Sequence, residues 1–266
     1  NRALEQVAAD CYVLLNSDVE VEEGWLGPLA ELMASDERIA ALAPKILSYD
    51  RPGYFEYAGA SGGFLDAFGY PFCRGRILDT IEQDDGQYDT SRDVFWASGA
   101  CMMVRADVFR KLGGFDGDFF AHMEEIDFCW RAQLAGYRIM VEPRSRVFHL
   151  GGGTLPNNSP RKLYLNYRNN LSMLYKNLSK RTLWPLLFTR MVLDGMSAFV
   201  FLMQGRRDFF KVVFRSHMDF YKILGMLRAK RRAIQRDRTG SAAGNIYRGS
   251  IILRHALGRR TFGRMM

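Results

Sequence analysis

The sequence predicts an α/β fold that continues into a helical extension. Over the first 150 residues, short apolar runs typical of buried strands alternate with segments whose apolar residues recur at helical spacing. After Gly153 this alternation ends and long helical patterns follow. The charge also changes: residues 1–150 hold 14 Lys and Arg against 25 Asp and Glu, whereas residues 151–266 hold 23 against 4. The two parts are therefore expected to face different partners.

The first strands and helices follow from the apolar pattern. Arg2–Ala9 has the pattern of a helix end, and Cys11–Leu15 is a continuous apolar run typical of a parallel strand buried on both faces. Trp25–Met33 is predicted to be a helix with Pro28 near its first turn, and Ile39–Leu47 a second buried strand. The polar residues that follow the first strand are expected at its carboxyl end, where α/β sheets bind ligands.

The middle of the chain has a weaker pattern. Glycines alternate with aromatic residues in Ser48–Arg92, and we expect loops and short hairpins there that form a lid or a substrate-facing insertion. The elements predicted after it are a strand, two helices and two short strands: Trp96–Val104, Ala106–Leu112, Glu125–Ala135, Arg138–Val141 and Arg146–His149. Gly136 is the stop signal of the second helix.

The helical extension contains one long apolar stretch. Leu183–Met203 is almost wholly apolar over 21 residues, which is long enough to span a bilayer. Arg190 and Asp194 lie near its middle, and such charges are costly at the bilayer centre even though their i,i+4 spacing partly compensates. An interfacial or half-buried helix is therefore favoured over a membrane-spanning one.

The extension is also basic. Asp208–Lys230 is predicted to form one amphipathic helix with Lys211, Arg215 and Lys222 on one face, after a helix over Arg161–Asn177. A basic amphipathic helix beside an apolar one is typical of proteins that bind an anionic membrane surface. The interleaved apolar stretches favour a membrane over nucleic acid.

The sequence predicts three regions and a reducing compartment. The predicted regions are 1–160, 161–238 and 239–266, and the chain from Arg231 onward is expected to be loosely ordered. The cysteines are widely spaced and are expected to be free thiols: Cys11, Cys73, Cys101 and Cys129. Residues 1–10 do not have the pattern of a secretory signal. We expect a cytoplasmic protein, peripheral on the inner face of the cell membrane.

An acidic pair follows the first predicted strand. Asp18 and Glu20 are expected on the same side of an extended segment, where carboxylates bind Mg²⁺ or Mn²⁺ together with substrate phosphates. Acidic pairs in loops are often only solvated, and the spacing alone favours that interpretation.

A second acidic group opens a predicted helix. Glu124, Glu125 and Asp127 lie within four residues, and interaction with the helix dipole accounts for one or two of them. Crowded carboxylates raise one another's pKa, which suits a general base. His149 ends a predicted strand before three glycines; a lone histidine is more often a structural hydrogen bonder, but beside such a loop it is also a suitable metal ligand.

Four sequence blocks, in this order and spacing, carry a family resemblance. They are LLNSDVEVEEGWL (Leu14–Leu26), ASGACMMVRADVFRKLGGFD (Ala97–Asp116), FFAHMEEIDFCWRAQLAGY (Phe119–Tyr137) and VFHLGGGT (Val147–Thr154). Together they resemble family 2 glycosyltransferases of the rhamnosyltransferase-like kind, and YLNYRNNLSMLYKNL (Tyr164–Leu178) resembles the segment that follows. The resemblance covers roughly residues 1–180.

The resemblance implies a GT-A fold and an inverting transfer from a nucleotide-sugar donor, with Mg²⁺ or Mn²⁺ as cofactor. Asp18 matches the first Asp of the family's DxD motif, which holds the metal and the donor diphosphate, and Glu20 stands at the last position of that motif. Glu125 matches the inverting general base, and His149 matches the histidine that completes the metal site.

The resemblance also implies both substrates. The donor is expected to be a UDP- or dTDP-sugar, and the acceptor a glycan or a lipid-linked molecule. Trp96, Glu124, Asp127 and the Gly/aromatic segment 53–72 are expected on the acceptor side, because aromatic faces pack on sugar rings. The family's first strands precede the position of Asn1, so the sequence is expected to lack part of the nucleotide-binding half. The alternative is a catalytically inactive remnant or a membrane-associated scaffold for another transferase.

Overall fold

The computed structural model describes residues 1–151 and 159–265, and the chain forms two compact units. The first unit contains Asn1–Phe115, Phe128–Gly151 and Thr239–Met266, and the second contains Asp116–Asp127 and Gly152–Arg238. The predicted mixed sheet flanked by helices is confirmed. The predicted three regions differ from these units, because the tail returns to the first unit and a short acidic segment belongs to the second.

Strands belong mainly to the first unit and long helices to the second. The strands are β1 (Cys11–Leu15), β2 (Val19–Val21), β3 (Ile39–Ser48), β4 (Gly63–Asp66), β5 (Pro71–Cys73), β6 (Arg76–Ile77), β7 (Thr80–Ile81), β8 (Arg92–Asp93), β9 (Cys101–Arg105), β10 (Arg138–His149) and β11 (Ile246–Tyr247). The helices are α1 (Arg2–Glu5), α2 (Leu26–Ser35), α3 (Ala106–Lys111), α4 (Glu124–Leu134), α5 (Pro160–Asn177), α6 (Lys180–Met203), α7 (Arg207–Lys222), α8 (Leu224–Arg236) and α9 (Ile251–Ala256).

The main sheet of the first unit has the strand order β1-β9-β3-β10-β2, and β8 also pairs with β10. The central neighbours β3 and β10 are parallel, and β9, β2 and β8 pair with the sheet in antiparallel fashion. β3 is buried along almost its whole length, as its continuous apolar sequence predicts for a central strand. It therefore forms the middle of the core.

β1 is not the buried parallel strand that its sequence predicts. It pairs with β9, antiparallel, and within the described residues it lies at the edge of the sheet. Val13 and Leu15 on this strand are exposed. A short apolar run occurs in central strands and in edge strands, so the sequence alone could not predict the position of β1 in the sheet. The chain then turns at Ser17 and Asp18 directly into β2.

β10 joins two predicted strands into one. Its pairing with β3 shifts between Glu142 and Arg146, next to Pro143, which cannot donate a hydrogen bond to a neighbouring strand. A bulge therefore absorbs the proline and the strand continues to His149, its last residue, as predicted. The strand predicted to begin at Trp96 is shorter in the structure, where β9 begins at Cys101.

The Gly/aromatic segment and the tail together form a second sheet in the first unit. Its strand order is β11-β4-β5-β6-β7, and β11 from the tail pairs with β4 in parallel. The aromatic rings of its core are buried and in mutual contact: Phe55, Phe64, Phe72, Tyr88 and Phe262. The tail is therefore an ordered part of the first unit, not the loosely ordered segment that its composition predicts.

The second unit is helical. α5 packs against α6, α7 and α8, and its C-terminal half from Asn169 to Asn177 is buried. The single amphipathic helix predicted over 208–230 is interrupted at Ile223, where α7 ends and α8 begins. On α6, Arg190 and Asp194 are 3% and 1% exposed and form an ion pair of 3.1 Å between Nη2 and Oδ1. His217 on α7 adds a contact of 3.2 Å to Asp194 Oδ2.

α6 has two distinct faces. Its charged pair lies on the buried face, together with Leu183, Leu187 and Ala198. Large apolar side chains at spacings of three and four residues are exposed on the other face: Trp184, Phe188, Val192, Met196, Phe199 and Met203. By length and composition alone, this helix of 24 residues could cross a membrane. The mean hydropathy of an 18-residue stretch of the helix is 1.6, and 22% of that stretch is buried. The two charges that argued against a membrane-spanning helix thus lie on the buried face, away from the exposed apolar side chains.

Candidate active site

Asp18 and His149 meet at one end of the main sheet. Val19, the first residue of β2, pairs with His149, the last residue of β10. The pairing extends beyond the strands, since the amide of Leu150 donates a hydrogen bond of 3.1 Å to the carbonyl of Asp18. As a result, Oδ1 of Asp18 lies 3.3 Å from Nε2 of His149. Two residues far apart in sequence, both predicted as metal ligands, are thereby neighbours.

Glu56 is a third member of this group, and sequence reasoning missed it. Its Oε2 lies 3.4 Å from Nδ1 of His149, and the residue is 6% exposed. Gly151 makes room for it, because a Cβ on this glycine would lie 3.0 Å from Oε1 of Glu56. Gly151 also has φ of +71°, a conformation that favours glycine. Gly152, Gly153 and Thr154, which complete the predicted glycine loop, lie outside the described residues.

The two carboxylates raise the pKa of His149. Burial by itself lowers the pKa of this imidazole, but Glu56 and Asp18 on its two nitrogens outweigh burial and hold the pKa above its ordinary value. The two carboxylates therefore favour the protonated imidazole more than water does. A divalent cation held by Asp18 and His149 would compete with a proton for the imidazole, so cation binding at this group is expected to weaken as pH falls.

The donor set fits a divalent cation that is shared with a diphosphate. One carboxylate and one imidazole lie close enough to touch the same ion, and Glu56 beside the other imidazole nitrogen is the arrangement that orients a histidine ligand. Among residues 1–151 and 159–265 there is no group of three or more His, Cys, Asp or Glu side chains arranged to hold a metal ion by themselves. Mg²⁺ and Mn²⁺ at such sites take further oxygen ligands from substrate phosphates and water.

Glu20 does not join this group. The sequence predicts Asp18 and Glu20 on one side of an extended segment, but Asp18 lies in a turn, which breaks the alternation of side chains. Glu20 pairs with Phe148 on β10, one residue before His149, so its side chain is on the opposite face of the sheet from His149. It is exposed there.

The second acidic group opens α4 in the second unit. The backbone before it is strained: Phe120, His122 and Met123 have φ of 65°, 66° and 75°, although none is glycine. Each such residue costs about 1–3 kcal/mol and persists only where its surroundings impose it. Strain of this kind immediately before Glu124 and Glu125 is typical of a segment that presents functional side chains.

Glu125 has the properties of a general base. Burial, and then repulsion by the neighbouring Glu124, raise its pKa to about 8. Burial also raises the pKa of Glu124. The Oε2 atoms of both side chains are buried and have no hydrogen-bond partner among the described residues. Such an oxygen is free to accept a hydrogen bond from a ligand hydroxyl, as a general base must.

Asp127 and Trp96, two predicted acceptor contacts, are buried. Asp127 is 0% exposed, and its carboxylate is bound by Nζ of Lys176 at 2.9 Å and by Nδ2 of Asn177 at 2.8 Å. Trp96 is 3% exposed and donates a hydrogen bond from Nε1 to the carbonyl of Phe64. Neither side chain presents surface to a ligand in this structure. Asp127 differs from Glu125 because residues two positions apart on a helix point in different directions.

Comparisons with known proteins identify relatives with described activities. The "N-acetylglucosaminyl-diphospho-decaprenol L-rhamnosyltransferase" of Mycobacterium tuberculosis is 29% identical over 143 residues, which are 53% of this chain and 47% of that protein. "Rhamnosyltransferase WbbL" of Escherichia coli K12 is 29% identical over 143 residues, 53% of either chain. The matched region thus spans about half the length of these relatives.

A solved structure and a family model also match. The crystal structure of GalNAc-T7 with UDP, GalNAc and Mn²⁺ is 16% identical, with a TM-score of 0.47, and the match covers 66% of this chain and 33% of that one. The model of "Glycosyl transferase family group 2" matches residues 13–204, which is more than half of the chain and includes Asp18, Glu125 and His149. The predicted resemblance is therefore confirmed: the protein belongs to glycosyl transferase family group 2, with rhamnosyltransferases among its relatives.

Proposed function

We propose that this protein transfers a sugar from a nucleotide-sugar donor, a UDP- or dTDP-sugar, to a glycan or lipid-linked acceptor, with Mg²⁺ or Mn²⁺ as cofactor and with inversion at the anomeric carbon. The observation that carries the proposal is the contact of 3.3 Å between Asp18 and His149. Family membership supports the reaction class. The name of the mycobacterial relative, which includes a diphospho-decaprenol, supports a lipid-linked acceptor.

Asp18 and His149 hold the donor end of the reaction in this proposal. When bound by them, a divalent cation stabilises the negative charge that develops on the departing diphosphate. Glu56 holds the His149 ring in the orientation that directs Nε2 toward Asp18. Glu20 has no part in this arrangement, because it lies on the opposite face of its strand.

Glu125 acts as the base. It takes the proton of one acceptor hydroxyl, and the resulting oxygen bonds to the anomeric carbon as the bond from that carbon to the diphosphate breaks. A single displacement of this kind inverts the configuration. A pKa of about 8 gives the carboxylate enough basicity for this step, and its buried Oε2 has no competing hydrogen bond among the described residues. Glu124 is the remaining candidate for an acceptor contact.

Calorimetric titration with UDP and with dTDP, in the presence and absence of Mn²⁺, tests the donor site. We expect Mn²⁺-dependent binding of one of the two nucleotides, and its loss in Asp18→Ala. Glu20→Ala is the matched control, since it removes a carboxylate two residues away on the other face, and it should bind like the wild type. If neither nucleotide binds with or without Mn²⁺, the transferase proposal is wrong and a non-catalytic scaffold becomes the better interpretation.

We also propose that the second unit binds an anionic membrane surface on the cytoplasmic side of the cell membrane, where lipid-linked acceptors would be accessible. The exposed apolar face of α6 supports this, as do Phe214 and Met218, which are exposed on α7. The predicted cations Lys211, Arg215 and Lys222 are exposed on α7 as well. Apolar insertion together with basic side chains is the combination that anionic lipid surfaces bind.

Sedimentation with vesicles tests the membrane proposal. We expect binding to phosphatidylcholine vesicles that contain phosphatidylglycerol, and at least about tenfold weaker binding by the double variant Phe188→Ser, Phe199→Ser. These side chains are 71% and 60% exposed, so the fold should tolerate the change. Leu253→Ser on α9, at a residue that is 60% exposed in the first unit, is the control. Equal binding by the double variant and the wild type would contradict the proposal.

A further inference from the structure

The segment before the proposed base is held by one buried side chain of α5. Nδ2 of Asn169 lies 3.0, 2.8 and 2.8 Å from the carbonyl oxygens of Phe119, Ala121 and His122, so the two hydrogens of its NH₂ group are shared among three acceptors. Asn169 is 0% exposed. The three carbonyls lie within the strained stretch that contains Phe120, His122 and Met123. The positive φ angles interrupt regular backbone hydrogen bonding there, and one side-chain amide group provides hydrogen bonds to these carbonyls instead.

Arg168 fixes the orientation of that amide. Its Nε and Nη2 donate to Oδ1 of Asn169 at 2.9 and 2.7 Å, so the oxygen faces the guanidinium and the NH₂ group faces the carbonyls. Nη2 also donates to the carbonyl of Asp118 at 2.7 Å. Arg168 and Asn169 therefore both bind backbone carbonyls of the same segment, residues 118–122.

The two ends of the segment are held by α5 as well. Lys176 binds Asp116 at the start and Asp127 at the end of residues 116–127, at 2.5 and 2.9 Å, and is 1% exposed. Asn177 adds a hydrogen bond to Asp127. Residues 116–127 are thus fixed at both ends by Lys176 and in the middle by Asn169, while Glu125 lies inside the fixed stretch.

We propose that Asn169 is a positioning residue for Glu125: it imposes the strained backbone of 119–123 and so sets where the Glu125 carboxylate stands when it takes the acceptor proton. This inference rests on the proposed function for the catalytic part only. A strained backbone relaxes unless its surroundings oppose it, and among the described residues the side-chain hydrogen bonds to the carbonyls of 119–122 come mainly from Asn169. Proton transfer is sensitive to the placement of the base, so a shift of about 1 Å can cost about a hundredfold in rate.

Hydrogen–deuterium exchange of the full protein tests the structural part. Asn169→Ala and Asn169→Asp both remove the NH₂ donor, and the second keeps the side-chain shape. We expect about tenfold faster exchange in peptides from 116–127 for both variants, with 39–48 unchanged. Ser172→Ala is the matched control: Ser172 is a buried polar residue on the same helix whose hydroxyl bonds to the carbonyl of Arg168 within α5. Wild-type exchange in both Asn169 variants would overturn the inference.

Turnover tests the catalytic part through the separation of kcat from KM. Release of nucleoside diphosphate from the donor that the calorimetry selects should show kcat reduced by about a hundredfold in Asn169→Ala, with the donor KM within about twofold of the wild type. Ser172→Ala should leave both constants within about twofold. Faster exchange with an unchanged kcat would overturn the positioning role. A wild-type protein without turnover would overturn the proposed function and the positioning role with it, whereas the exchange result decides independently whether Asn169 holds the segment.

Discussion

Nζ of Lys176 lies 2.9 Å from Oδ2 of Asp127, and the two side chains are 1% and 0% exposed. A second carboxylate, that of Asp116, also binds Nζ. The cation and its partners are removed from water, so each depends on the others to offset the loss of hydration. The pair joins the first turn of α4, which contains the proposed base Glu125, to the last turn of α5.

Removing the cation should destabilise the fold. Lys176→Met removes the buried cation bound to Asp127 and one of the two lysines bound to Asp116, and we expect the free energy of unfolding to fall by about 3–5 kcal/mol in denaturant titrations. Lys222→Met is the control, because Lys222 is 72% exposed and its ion pair with Asp219 should contribute less than about 1 kcal/mol. Equal effects of the two substitutions would show that the buried network is not needed for stability.

The rate of sugar transfer should rise with pH. Glu125 must be ionised to accept a proton, and its pKa of about 8 means that the ionised fraction increases up to and beyond neutral pH. Initial rates between about pH 6 and 9.5 should therefore increase and level off above about pH 8. Glu125→Gln should lose at least about a thousandfold in kcat and keep nucleotide binding. If Glu124→Gln loses as much and Glu125→Gln little, the base is Glu124.

The same carboxyl should make stability fall as pH rises. The pKa of Glu125 is raised from 4.5 to about 8, so the folded state holds a proton that the unfolded chain has lost in this window. Glu125→Gln removes this penalty and should stabilise the protein by up to about 4 kcal/mol at pH 8 and by little near pH 4.5. A stabilisation that is independent of pH would contradict the raised pKa.

Glu142 is a control for this prediction, because its pKa is lowered, whereas that of Glu125 is raised. Burial by itself raises its pKa, but hydrogen bonds from Arg144 outweigh burial and lower it. Its contribution to stability is therefore present at neutral pH and is lost as pH falls below the ordinary range of a carboxyl group. Glu142→Gln should destabilise at pH 7, whereas Glu125→Gln stabilises.

Glu56 should tune the affinity for the cation. Glu56→Gln keeps the shape beside Nδ1 of His149 but removes the charge that orients and polarises the ring. We expect Mn²⁺-dependent nucleotide binding to weaken by about 10–100-fold in calorimetry. Glu82→Gln is a suitable comparison, because this partly buried carboxyl of the same unit bonds instead to Tyr88 and to the amide of Phe262. Unchanged Mn²⁺ dependence in Glu56→Gln would exclude a role for Glu56 at the site.

Sequence reasoning found the residues whose chemistry is visible in a short stretch. The acidic start of α4 and the histidine that ends a strand are local patterns, and both predicted positions are confirmed as features of the fold. Glu56 could not be found this way, because its contact with His149 depends on how an aromatic segment folds against the end of β10. The positive φ angles at Phe120, His122 and Met123 were equally hidden, since these residue types usually avoid that conformation.

Other differences arose where one pattern has two structural outcomes. The apolar run of β1 suits an edge as well as a centre, and only pairing distinguishes them. The aromatic residues of 53–72 suit a sugar-binding surface or a small core, and the rings of Phe64 and Phe72 pack on Phe262. Asp127 shares a helical turn with Glu125 but meets Lys176, a partner 49 residues away in the chain.

The return of the tail to the first unit has a consequence for biosynthesis. The amide of Phe262 donates a hydrogen bond to Glu82, 180 residues earlier in the chain, and its ring completes the aromatic core of the second sheet. A ribosome therefore makes the whole of the helical unit before that small core can close. Contacts of such long range form slowly, so the nascent chain carries an open aromatic cluster until Phe262 has been translated, and this is the stage at which a chaperone would have most to protect.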